Sequence, residues 1–507
     1  MTGFNRDFRR GGRRRRLRTA ALNIALTAGL ATAVIAGGGS ACAQSMQQDY
    51  EKFRREAVKK YESFRQECNS KYAEFVRQGG KWYKGEAPLP KPAEPNPLPP
   101  RNYPGEREKE PVTVTPRVEP APKPQPQPKP VEPIREVPGP SPKPFTASYY
   151  GISAPVRLPE AARLSMPEAT PDKVADAWEA LSGKDMDNAI RDCLEARVRY
   201  GLCDWAYLGF LNSLAQQFCR GDANGTTLLT AFLYSQSGYS MRLAMDGPRL
   251  VLLYASGHSI FDKNYFSVGN TRYYPLSKSS DRLQIFDYEF GGEKPLSLLI
   301  ATQQKLGSAL SATRTIKSKK YPGMTAPSQV PAKLIDFYNT YPVSLLNGDF
   351  MTRWAMYANT PLSKETREVL YPALRKAIAG CSPAEAANRL LNWVQTGFVY
   401  EYDDKVWGYD RAFFAEESLY YPYCDCEDRS ILYSRLVRDL LGLDVALVYY
   451  PGHLATAVRF TEPVSGDALN IGGRRYTVCD PTYIGAPIGL QMPDLDYSKT
   501  RTILLSR

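Results

Sequence analysis

Three side chains toward the C-terminal end have types and an order suited to covalent chemistry: Cys426, His453 and Asp480. Cys426 lies in the stretch Tyr420-Tyr-Pro-Tyr-Cys-Asp-Cys-Glu-Asp-Arg-Ser430. Apolar residues follow at helical spacing (Ile431, Leu432, Leu436, Val437, Leu440, Leu441), up to a stop at Gly442. Asp425 is a natural N-cap and Asp428 suits a first turn, so Cys426 is expected at the positive end of a helix. A thiolate is favoured there, which is what a sulfur nucleophile needs. Two strand-like runs, Asp444–Tyr450 and Leu454–Phe460, join through Pro451-Gly452 and place His453 at the start of the second. A third, Arg474–Val478, leads into Cys479-Asp480-Pro481-Thr482-Tyr483. An imidazole in that place can take the thiol proton and return it to a leaving group. A carboxylate on its far nitrogen would fix the tautomer.

Blander readings exist. Cys426 as a buried structural cysteine is one. A zinc site of Cys424, Cys426, Cys479 and His453 is another, but Cys-x-Cys is tighter than the usual spacing and leaves Asp480 unexplained. His453 is one of two histidines; the other, His258, follows Tyr254-Ala-Ser-Gly and reads as a surface turn position. Trp393, Gln395, Trp407 and Tyr423 lie upstream of the cysteine, as core or rim residues, and receive no catalytic role.

These motifs, Cys-Glu-Asp-Arg-Ser after a tyrosine-rich loop, Gly452-His453 with strand residues behind it, and Asp480-Pro-Thr-Tyr483, resemble the transglutaminase-like superfamily over residues 350–507. The resemblance implies a papain-like α+β core with Cys426 as nucleophile, His453 as acid/base and Asp480 as the orienting carboxylate. It implies no metal and no organic cofactor. One departure is plain: the family usually has glycine two residues before the cysteine, where this chain has Cys424. A disulfide or a resolving thiol beside the nucleophile is one consequence.

The elements that must position these residues form a series. Residues 1–43 carry eight arginines and one aspartate, then the apolar run Ala20 to Ala36 and the small residues Ala41-Cys42-Ala43. That is the pattern of an export signal cleaved before Gln44, with a lipid-modified Cys42 or a retained anchor as the alternatives. Of the formal net charge of +12, +7 sits in this segment, leaving +5 on the remainder. That balance gives no case for a nucleic-acid partner. A mean hydropathy of -0.41 argues against a polytopic membrane protein, and no stable transmembrane domain is expected after processing. The eight cysteines that remain are irregularly spaced, unlike a disulfide scaffold.

Residues 44–85 repeat a Tyr/Phe pair every eleven residues (Tyr50/Phe53, Tyr61/Phe64, Tyr72/Phe75), which predicts one helix over 46–83 with an aromatic stripe. It is read as a self-association or envelope-docking helix, against the alternative of a charged helix packed on its own domain. Residues 86–145 are a proline-rich linker expected to lack packed structure, extended as a spacer. Residues 146–345 read as an α+β lobe and 346–507 as a second, with helices at Val174–Tyr200, Trp205–Cys219 and Thr226–Gln236, and strands at Ser240–Met245, Arg249–Ala255, Arg272–Pro275 and Leu283–Tyr288. An offset of 204 residues superimposes Gly442 on Gly238 and Leu447 on Leu243, and carries Cys426, His453 and Asp480 onto Asp222, Arg249 and Leu276. On that offset the first lobe would be a degenerate copy without a nucleophile, kept for packing or substrate binding.

The expected protein is therefore an exported cysteine amide hydrolase or acyltransferase, periplasmic or envelope-associated, acting on a peptide or protein amide. The alternative is a catalytically silent envelope scaffold with the same fold.

Overall fold

The computed structural model describes residues 62–92, 96–107, 109–122 and 142–506. The expected export signal, the start of the repeat helix and residues 93–95, 108 and 123–141 of the linker lie outside these. The fold is α+β. Among the described residues no helix is long and apolar enough to cross a membrane.

Two antiparallel sheets carry the two lobes. The first runs, edge to edge, Lys81–Lys84, Arg282–Ile285, Met241–Asp246, Arg249–Ala255, Thr271–Pro275, Phe266–Val268. The helices Asp204–Phe218 and Ala223–Gln236 precede its central hairpin in the chain, and the latter packs on that hairpin. Val174–Tyr200, expected as one helix, is two: Pro171–Leu181 and Asp187–Tyr200. Ser182 and Gly183 part them, with Gly183 in an extended conformation no helix continues through.

The second sheet runs Thr113–Val114, Ala468–Ile471, Arg474–Cys479, His453–Arg459, Asp444–Tyr450, Arg501–Leu504, Arg117–Glu119. Its five inner strands are antiparallel, and the outermost pair are added in parallel. Period-2 alternation sorts Asp444–Tyr450 between two cores. Val445, Leu447 and Tyr449 face the helices, while Ala446, Val448 and Tyr450 face a second cluster with Leu469, Tyr476 and Tyr483. Against the helical face lies Cys426–Leu441, buried from Cys426 through Arg438. Gly442 ends it in the left-handed conformation, at φ +66°. The region 301–345 joins the lobes and leans on the second: Trp393 Nε1 donates to Ile316 O at 3.1 Å, and Arg314 to Tyr421 O at 2.6 Å.

Two expectations for the N-terminal region are corrected. The helix ends at residue 77, not 83; Gly79 turns the chain at φ +83°, and Lys81–Lys84 is a strand. Gly80 lies so close to the sheet that a Cβ there would meet Ile285 O at 2.7 Å. The described turns of the helix belong to the first lobe, which favours the own-domain reading over free docking. Asn69, Tyr72, Ala73 and Val76 make a buried stripe, Tyr72 lies 4.5 Å from Trp178 between ring centroids, and Trp178 Nε1 donates to Asn69 Oδ1 at 3.1 Å. Nor do the described residues of the proline-rich segment lack packed structure. Arg101–Asn102 pairs with Tyr483–Ile484, and Thr113–Val114 and Arg117–Glu119 extend the second sheet at its two edges. Each pairing is two or three residues long and falls between prolines, where N–H groups remain to donate.

Candidate active site

Strand register brings His453 and Asp480 together. Thr456 pairs with Cys479, so the start of one strand and the residue after the next meet at one end of the sheet. His453 Nε2 and Asp480 Oδ2 are 2.9 Å apart, with both side chains fully buried. The other Asp480 oxygen accepts from Thr482 N at 2.9 Å and Tyr483 N at 3.2 Å. With the carboxylate accepting, Nε2 carries the proton and Nδ1 keeps its lone pair. Nδ1 is buried and has no protein partner.

Cys426 begins its helix as the spacing predicts. Asp425 caps it, accepting from Asp428 N at 3.4 Å, while Asp428 accepts from Asp425 N at 3.3 Å. Ser430 Oγ donates to Leu454 O at 2.9 Å, which ties the first turn of the helix to the residue after His453. Cys426, His453 and Leu454 line one cavity of about 640 Å³. Phe261, Val343 and Leu345 of the first lobe also line it.

The resting electrostatics differ from the expected favoured thiolate. Cys426 is 3% exposed, and its S–H lies 3.3 Å from Glu427 Oε2 rather than bonded to His453. Burial, then the Glu427 and Asp425 carboxyls, push the Cys426 thiol well up; the Leu454 backbone N–H works the other way. Asp425 and Asp428 are held well above the usual carboxylate range, chiefly by burial and then by neighbouring acids. Burial and the nearby Glu427 push Asp403 up to about 8. Arg353 lies among these groups, 3.0 Å from Asp410 and 3.8 Å from Glu427.

Two acidic groupings could offer ligands to a cation, Asp425/Cys426/Glu427 and Asp403/Asp410/Glu427. Arg353 already supplies positive charge to the second. The zinc set considered from sequence is not gathered: Cys424 Sγ faces Arg429 Nε at 3.4 Å, and Cys479 Sγ faces Thr477 O at 3.6 Å. All eight cysteines of the described residues are free, Cys424 included.

Gln395 is a brace. Its amide donates to the carbonyls of Asp480, Tyr483 and Ala486 and accepts from Gly485 N, which fixes the turn that carries Asp480. Trp393 is core, Trp407 packs on Phe413 and Tyr421, and Tyr423 is exposed. His258 is not a surface residue. It is 3% exposed, and its Nε2 accepts from Leu298 N at 3.1 Å. Sequence reasoning passed over Glu427, although it stands beside the cysteine, and over Asp403, Arg353 and Phe261, which carry no local signal. Comparison with known proteins finds no matching family model, no matching curated protein and no matching solved structure.

Proposed function

We propose that the chain is an exported cysteine amide hydrolase or acyltransferase, with a transglutaminase-like, papain-like core in its C-terminal lobe. The observation that carries the reading is the buried His453–Asp480 pair: its Nδ1 has no protein partner, and His453 lines the same cavity as a cysteine at a helix tip. In the reaction Nδ1 takes the Cys426 proton, and the sulfur attacks the substrate carbonyl carbon. Collapse of the tetrahedral adduct breaks the C–N bond as His453 returns the proton to the departing amine. The resulting thioester is opened by water, giving the acid, or by an amine, giving a new amide. Water is always present, so hydrolysis is the simpler outcome. Asp480 holds the imidazolium formed along the way.

The test is the alkylation of Cys426 by iodoacetamide, followed residue by residue by mass spectrometry, in wild type and His453→Ala. A general base at Nδ1 requires the variant to label about tenfold slower or more near neutral pH. Equal rates would remove His453 from the mechanism.

A second reading has its own support. The Cys426 thiol donates to a carboxylate and is pushed up by its surroundings, which suits a silent scaffold that keeps the fold for binding.

A further inference from the structure

Thr113–Val114 and Arg117–Glu119 stand at opposite ends of the second sheet's strand order, yet only Thr115 and Pro116 separate them in the chain. Three residue steps reach at most about 11 Å, and a strand seated between two others needs those neighbours about 10 Å apart. The directions agree. Ala468–Ile471 and Arg501–Leu504 are separated by four antiparallel pairings, so they point the same way, and the segment runs parallel to both. Residues 113–119 are therefore a single closing strand, laid between the two edges of the five-stranded sheet. Ala468 N donates to Val112 O at 2.9 Å on one side, and Arg117 N to Thr500 O at 3.2 Å on the other. Pro116, between the two pairings, has no N–H to leave unpaired.

The last residue of this strand carries a buried carboxylate into the second lobe. Glu119 is 6% exposed, and its Oε1 accepts from Arg501 Nε at 2.8 Å. The same guanidinium donates from Nη2 to Asp349 Oδ2 at 2.7 Å and lies 4.9 Å from the Phe350 ring centroid. The other Asp349 oxygen accepts at 3.0 Å from Met351 N, which opens the helix Met351–Asn359. Arg353 and Trp354, in the first turn of that helix, line the cavity with Cys426. Arg353 bonds Asp410 at 3.0 Å and lies 3.8 Å from Glu427, whose Oε2 takes the Cys426 S–H. Contacts thus run from the closing strand, through one helix end, to the thiol.

We propose that Glu119 is a positioning residue for the active site: through Arg501 and Asp349 it sets the start of the Met351–Asn359 helix, and with it the reach of Arg353 to the Cys426–Glu427 pair. The proposal rests on the reading of Cys426 as a nucleophile. Titratable groups crowd that pair: the carboxyls of Asp403, Asp425 and Asp428, the phenols of Tyr400 and Tyr402, and His453 lining the same cavity. Among the described residues Arg353 is the cation within 4 Å of Glu427. A cation in that place eases loss of the pair's last proton, whichever group holds it; drawn back, it leaves that ionisation to a higher pH. Seating of the strand therefore regulates the thiol from a residue that does not line the cavity. A partner that drew residues 113–119 out of the sheet would leave Arg501 and Asp349 as a water-exposed pair, worth little, and would slow the reaction of Cys426.

The experiment uses the full chain and follows iodoacetamide alkylation of Cys426 against pH in wild type, Glu119→Gln, Asp349→Asn, Arg353→Gln and the Glu119→Gln/Arg353→Gln double variant. Buried Cys193 and Cys203 report integrity by staying unlabelled. In Glu119→Gln the midpoint should rise by about half to one pH unit, which slows labelling at neutral pH by roughly 3–10-fold. Asp349→Asn keeps an oxygen for Met351 N and should shift the midpoint the same way; it carries the test alone should Glu119→Gln expose the buried cysteines. In the Arg353→Gln background Glu119→Gln should add nothing, because its effect passes through that cation. Unmoved profiles in the single variants would overturn the proposal. So would an equal shift in both backgrounds, because the strand would then act on Cys426 by another route. The expected shifts in a protein that cleaves no amide would keep the positioning role and sink the hydrolase reading instead.

Discussion

Glu427 is the residue whose replacement discriminates best between readings of the site. Its carboxylate lies 3.3 Å from Cys426 Sγ and, after burial, is the largest influence raising the thiol. Two full charges at that separation would repel by about 5 kcal/mol at an effective dielectric near 20. Arg353, 3.8 Å from Glu427, offsets part of this, and burial holds Glu427 itself above its usual range. What remains still acts in the direction that keeps the thiol protonated. Glu427→Gln keeps the volume and removes the charge. The Cys426 thiol should then ionise at lower pH. Because a less basic thiolate is also a weaker nucleophile, the gain in alkylation rate at neutral pH should be about 3–10-fold rather than the full rise in thiolate. The assay is the pH profile of Cys426 alkylation, with Cys426→Ala as blank. An unmoved profile would show that the carboxylate does not set the thiol. A slower variant would be more damaging, because it would make Glu427 the group that draws off the proton and leave His453 without that task.

Asp480→Asn keeps an oxygen for the Thr482 and Tyr483 N–H groups but loses the carboxylate on Nε2; amide turnover should fall by roughly 10³–10⁴-fold with the urea midpoint little changed. Tyr72→Ala removes a ring buried against Trp178 and should lower stability by about 3–5 kcal/mol in urea unfolding; a loss near zero would return the helix to the spacer region. Burial pushes His258 down to about 4 from 6.5, so the unfolded chain takes its proton first as pH falls. That contribution is complete above pH 6.5 and is lost by about pH 4, roughly 3 kcal/mol in all, and His258→Gln should flatten this part of a stability–pH curve.

What could be read in advance was local. The alternation in Asp444–Tyr450, the turn at Pro451-Gly452 and the capping residues around Cys426 placed three elements to within a residue or so, and with them His453 and Asp480. The charge state of Cys426 was not local. A helix tip contributes up to about 1 kcal/mol toward a thiolate at an exposed site. At 3% exposure, beside two carboxyls, that term is outweighed, and the orientation of Glu427 depends on Arg353, 74 positions earlier. His258 looked like a turn residue because Leu298 and Ser344, which enclose it, lie 40 and 86 positions away. The proline-rich segment misled for a related reason. Composition reports that prolines forbid a helix or an inner strand. It carries no information about sheet edges elsewhere in the chain that accept pairings two or three residues long.

The first lobe is more than a neighbour. In its central hairpin Asp246 pairs with Arg249, and in the second lobe Tyr450 pairs with His453, the same register once 204 is subtracted. The next strand is offset by one residue, Tyr274 facing Tyr254 where Thr477 faces Val458. Both sheets then take a late strand on the other side of the hairpin and a segment from before residue 120 at an edge. Identities at a fixed offset are weak evidence of a repeat; the shared strand order and the shared register of the central hairpin are a stronger constraint, because sliding a strand by one residue reverses its faces. The positions that do chemistry in the proposal are not repeated. Asp222 stands where Cys426 does, and its two oxygens are spent on Gly225 N at 2.7 Å and Met166 N at 3.1 Å. A nucleophile needs an unspent atom facing open space, whereas this carboxylate closes its helix end against the preceding chain. What the first lobe keeps is a rigid frame, from which Phe261 and the Leu345 strand pairing reach the cavity that holds Cys426. The site thus sits on one of two sheets that share a strand order, and residues from both lobes line its cavity.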